Sequence, residues 1–178
     1  MKTFRLSKFL PWGPHDLFDL ITEVEAYPQI YPIVKAARTV WKQAGYTDIE
    51  LEFNLAAGAL LKNPSMGMRV TSQAPHKIEV TRTKGQMDHL KMGWSLSPVG
   101  DDGTDMDFYI EYETGMGGIV DNLAFSKIKG IVGDTLNRFE KHATAKMAER
   151  QAAAIEDSLD QLSRREKKRL KGRKPEAP

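Results

Sequence analysis

The chain has 178 residues, 40% of them hydrophobic, which is enough for one domain with a real core and too few for two of ordinary size. It contains no cysteine, so disulfides, thiolate metal sites and cysteine nucleophiles are excluded together. The net charge of +2 conceals an asymmetry, because residues 1–140 carry 15 basic and 18 acidic side chains whereas residues 141–178 carry 11 and 6. Contact with a polyanion is therefore expected of the C-terminal segment.

Strand-like alternation begins almost at once. Phe4 and Leu6 alternate with Arg5 and Ser7 over residues 3–10, and no long apolar run or small-residue cleavage site precedes them, so no presequence is expected and the expected address is the cytoplasm. Pro14 suits the first turn of a helix, with Leu17, Phe18, Leu20 and Ile21 as its apolar stripe. Thr22 and Glu25 have capping-box spacing for a second helix, with Val24 and Tyr27 facing inward until Pro28 and Pro32 limit it.

After Pro32 the period changes to two, with turn signals about ten residues apart, which predicts a meandering antiparallel sheet. Val40 lies on a strand ending near Gly45, and Ile49, Leu51, Phe53 and Leu55 alternate with Asp48, Glu50, Glu52 and Asn54. Met66, Met68 and Val70 form the next strand, and Pro75 turns the chain toward Ile78 and Val80. Beyond Gly85, the run Leu90, Met92, Trp94 and Leu96 is followed by a Gly-Asp-Asp-Gly turn and by Met106, Phe108, Ile110 and Tyr112.

From residue 118 to about 150, Val120, Leu123, Ala124, Ile128, Ile131, Val132, Thr135, Leu136, Phe139 and Ala143 recur three and four apart, which predicts one long amphipathic helix. Gly130 and Gly133 interrupt it, either because a strand packs closely there or because space is left for a ligand. A twisted sheet with one apolar face buries that face and the helix stripe together by curling round the helix. The expected fold is α+β of helix-grip type, a curved antiparallel sheet of about seven strands wrapped around a long C-terminal helix. The inward candidates Phe53, Leu55, Met68, Met92, Trp94, Phe108 and Tyr112 suit either a filled core or the wall of a cavity.

The segments Leu17-Phe18-Asp19-Leu20-Ile21 and Val24-Glu25-Ala26-Tyr27-Pro28-Gln29-Ile30-Tyr31-Pro32 resemble the opening signature of the Coq10 and RatA branch of the START-like superfamily, also described as polyketide cyclase/dehydrase and lipid transport or SRPBCC proteins. Gly85, residues 90–94, the acidic-apolar strand at 107–113 and Phe139 follow the same order. The resemblance covers about residues 1–145. It implies a lipid-binding domain with a hydrophobic cavity, lined by Tyr27, Phe53, Leu55, Met68, Met87, Met92, Trp94, Phe108, Tyr112, Leu123 and Ile131. Coq10-like members bind ubiquinone or related polyprenyl lipids and support quinone biosynthesis or respiration. The resemblance therefore implies a bound lipid or ubiquinone as ligand and no separate cofactor. RatA-like members, the alternative, bind the large ribosomal subunit and block subunit association, and polyketide cyclases of the superfamily are enzymes.

Trp94 and Tyr112 carry polar tips suited to a quinone oxygen or, equally, to a backbone carbonyl. Burying about 300 Å² of prenyl tail from water contributes roughly 7 kcal/mol before ordering costs, but a quinone in a bilayer has already left water, so transfer requires membrane contact. The candidate for that contact is the extension over residues 146–178, expected as an Ala-rich helix ending in a basic, disordered tail. Within residues 163–174, Arg164, Arg165, Lys167, Lys168, Arg169, Lys171, Arg173 and Lys174 stand against Glu166 alone, a charge pattern for an anionic membrane surface, for RNA, or for water. Peripheral contact at the inner face of the membrane is the corresponding expectation. The four histidines are scattered without metal-ligand spacing, and Asp105, Asp107, Glu111 and Glu113 share the wet face of a strand, so no catalytic constellation is expected.

Overall fold

A computed structural model describes residues 1–54 and 65–171. In chain order it comprises β1 (Lys2–Leu10), α1 (Pro14–Thr22), a single 3₁₀ turn (Val24–Ala26), α2 (Tyr27–Ile30), β2 (Val34–Gln43), β3 (Tyr46–Phe53), β4 (Ser65–Gln73), β5 (Lys77–Lys84), β6 (His89–Val99), β7 (Gly103–Glu113) and α3 (Gly118–Lys171). The strands form one seven-stranded antiparallel sheet in the order β1-β7-β6-β5-β4-β3-β2. The α+β helix-grip architecture expected from the alternation is the observed one.

Two compact units divide the chain at residue 140, within α3. The first holds the sheet. On its inner face Ile49, Leu51, Met66, Met68, Ile78, Val80, Leu96 and Met106 are buried, while the acidic positions Asp105 and Asp107 of β7 face water. α1 packs on β6. Leu10, Leu17, Leu20, Ile78, Leu96 and Met106 are each no more than 2% exposed, so this end of the sheet is a close-packed core. Thr104 joins it without an orphaned hydroxyl, donating to the Trp12 carbonyl at 2.7 Å. On the outer face Gly93 is required by its neighbours, since a Cβ there would lie 2.6 Å from the Tyr109 ring.

The helix pair departs from the predicted capping box. Thr22 already belongs to α1, and its hydroxyl donates back to the Phe18 carbonyl at 2.8 Å, while the Glu25 carboxylate accepts from Thr39 Oγ1 at 2.7 Å on β2. Pro28 sits in the first turn of α2 instead of ending the helix. Near the end of β2 the register shifts between Thr39 and Trp41, and Val40 and Trp41 are both 59% exposed on this edge strand. At Gly130 and Gly133 no described atom lies within 4 Å of a built Cβ, so neither glycine is held by close packing against a strand.

In the second unit the helix continues to Lys171 and so takes in the basic run from Arg164 onward, while Arg173, Lys174 and the rest of the tail expected to be disordered lie outside the described residues. Its residues are good helix formers, and pairs one turn apart tie its surface, as in Arg164 to Asp160 at 2.9 Å and Gln161 to Asp157 at 2.8 Å. Ile155, Leu159 and Leu162, the predicted thin apolar stripe, are between 57% and 62% exposed.

Candidate functional site

Toward the other end of the sheet the inner face no longer closes on itself. Along β6 the side chains pass from buried Leu96 to half-buried Trp94 and Met92, and these line a cavity of about 260 Å³. On the neighbouring strand Phe108 and Ile110 stand opposite them in register, with the Trp94 and Phe108 rings 5.2 Å apart. Leu51 and Phe53 of β3 and Met66 of β4 extend the wall. The roof is the first part of α3, where Ile128, Ile131, Val132, Thr135, Leu136 and Phe139 fall on one face by their spacing of three and four.

The helix pair and the connection into β2 close a third side through Ile21, Tyr27, Tyr31, Ile33 and Val34. Tyr27 donates its hydroxyl to the Ile21 carbonyl at 2.6 Å, which pins the ring. Tyr31 meets that ring edge-on at 5.3 Å, and its backbone N–H donates to the Tyr27 carbonyl at 2.8 Å. Burial pushes both phenols well above their ordinary pKa, with the Glu25 carboxylate adding to the effect on Tyr27 and Tyr27 adding to that on Tyr31. Both are neutral donors throughout the physiological range.

Gln86 and Met87 from the β5–β6 turn, with Thr114 and the 48% exposed Met116 from the β7–α3 connection, complete the lining. These two segments are fastened together. Arg82 donates to the Gly85 and Asp88 carbonyls at 3.0 and 2.8 Å, the Asp88 N–H donates to the Glu113 carbonyl at 3.0 Å, and the Asp88 carboxylate packs against Gly115, which takes a φ of +77°. No charged side chain lines the cavity among the described residues.

Of the residues expected at the site, Tyr27, Phe53, Met87, Met92, Trp94, Phe108 and Ile131 come together on this wall. Met68 and Tyr112 do not. They are 1% and 0% exposed within the packed core, and Tyr112 has an interaction partner there. Leu55 and the side chain of Leu123 lie outside the described residues. Tyr31, Ile33 and Met116 are lining residues that the alternation missed, because they sit in irregular segments where no period marks a face, and Val34, also missed, stands at the first position of β2. Of the basic cluster, Arg164, Arg165, Lys167 and Lys168 are exposed on α3, whose helix also carries Arg169 and Lys171.

The sequence profile of the family described as polyketide cyclase / dehydrase and lipid transport matches residues 10–140. The chain belongs to that family. Within the polyketide cyclase/dehydrase and lipid transport family both enzymes and lipid carriers occur, and its START-like fold together with this cavity makes the protein a binder of hydrophobic ligands. The ribosome association toxin RatA of Rickettsia prowazekii is 28% identical over 143 residues, covering 80% of this chain and 97% of its own. An 18 kDa protein of Caulobacter crescentus is similar in structure at a TM-score of 0.67, with 24% identity over 83% of this chain and 99% of its own. An aromatase/cyclase from Streptomyces has a TM-score of 0.67 at 12% identity, over 82% of this chain and 95% of its own. Among the described residues, no helix is long and apolar enough to cross a membrane.

Proposed function

We propose that the protein binds a polyprenyl quinone in this cavity without chemical change and presents it to membrane enzymes of quinone biosynthesis or respiration. The observation that carries the proposal is the wall itself, aromatic rings and flexible methionines with no charged group among the described residues, which suits a neutral isoprenoid of irregular shape. Among the described residues, the titratable groups on that wall are two phenols whose pKa burial raises, a poor provision for general acid–base catalysis. Exposed Arg164, Arg165, Lys167 and Lys168, with Arg169 and Lys171 on the same helix, supply attraction to an anionic leaflet.

The test is mass spectrometry of an organic-solvent extract from gently purified protein, made in a quinone-producing host, beside a version lacking residues 146–178. Near-stoichiometric quinone in the full chain, and its loss in the shortened one, is the expected result. An extract without lipid favours a second reading, ribosome binding, which rests on the 28% identity to RatA. Cosedimentation with ribosomes that survives high salt is its own check.

A further inference from the structure

We infer that Tyr31, with Trp94 and Thr135, forms a hydrogen-bond-donating station for an uncharged ligand head bearing acceptor oxygens, such as a carbonyl. The inference rests on the carrier reading above and assigns the side chains that hold the ligand head.

Six lining residues carry polar side-chain groups: Tyr27, Tyr31, Gln86, Trp94, Thr114 and Thr135. Three are committed within the protein. Tyr27 donates to the Ile21 carbonyl, Thr114 Oγ1 accepts the Met116 N–H at 3.2 Å, and Gln86 has a partner of its own. Among the described residues, none is hydrogen-bonded to the Tyr31 hydroxyl, the Trp94 Nε1–H or the Thr135 hydroxyl, and none of these three groups is sealed away from accessible space.

All three groups can donate a hydrogen bond. An indole N–H only donates, and a phenol kept protonated by its surroundings donates as well as accepts. A hydrocarbon ligand that expelled water would leave all three unpaired, whereas a ligand oxygen satisfies them. A carboxylate or phosphate head would bring a buried charge to a wall that holds no cation among the described residues. A neutral head with acceptor oxygens is what remains. Tyr31 is also positioned in advance, its backbone bonded to Tyr27 and its ring set edge-on against a pinned neighbour.

Titration calorimetry on the full chain with three six-carbon probes tests this: hexyl-benzoquinone, hexylbenzene and hexanoate. The quinone is expected to bind about tenfold tighter than hexylbenzene, with hexanoate weakest. Tyr31→Phe should weaken quinone binding about fivefold and leave hexylbenzene unchanged. Trp94→Phe is a second, independent removal of a donor and should act the same way. Tyr27→Phe should lower stability yet keep the preference for the quinone. Equal affinity for quinone and hexylbenzene in the wild type, or variants that weaken both alike, overturns the inference and leaves the carrier reading standing. Failure of every probe to bind overturns both.

Discussion

On the outer face of the sheet, Glu79 accepts from Lys77 Nζ at 2.7 Å and from Lys91 Nζ at 2.6 Å, and the two ammonium groups hold its carboxyl down at about 2. Unfolded, the same group takes up its proton near 4.5, so the pair of contacts stabilises the fold fully above that pH and the contribution is lost as pH falls toward 2. Allowing for solvent screening, Glu79→Gln should lower the unfolding free energy by about 1 kcal/mol at pH 7 and by almost nothing near pH 2, measured by urea denaturation. This outer face was legible in the sequence because charged residues alternate along β5–β7. The inner face was legible only in direction. Alternation turns Tyr112 and Trp94 inward alike, yet Tyr112 is sealed in the core with its partner while Trp94 reaches the cavity. Tyr31 follows a one-turn helix, so no periodic signal pointed to it.

The strands were readable as elements because a half-buried antiparallel sheet writes its period of two directly into the chain. Helix ends and helix glycines were not. The spacing of Thr22 and Glu25 matches a capping box, but α1 extends through Thr22, so that hydroxyl was already committed to the Phe18 carbonyl. Gly130 looked like a packing requirement and stands in open surroundings. With no contact to lose and helical backbone on both sides, Gly130→Ala should raise stability by about 1 kcal/mol, read as a higher urea midpoint at unchanged slope. A fall in stability would show that an unseen neighbour crowds this turn.

For the molecule as a whole, the sequence announces which side chains face inward but not how much room they leave. That depends on how far the sheet curls and how near α3 approaches, quantities set by all seven strands at once. The cavity was therefore an implication of family resemblance, and the geometry supplies its walls. Met92→Glu places an unpaired carboxylate on that wall, and Trp94→Ala removes its largest ring. Both variants should keep the far-ultraviolet circular dichroism of the parent and lose co-purifying lipid. Lipid content equal to that of the parent would sink the assignment of this cavity as the ligand site.

The same 260 Å³ has a mechanical consequence. Apolar space too poorly filled to transmit load disappears when the chain unfolds, so hydrostatic pressure favours unfolding in proportion to it. The ligand-free protein should yield at markedly lower pressure than the lipid-loaded one, and the difference between their unfolding volumes should measure how much of the space the natural ligand occupies.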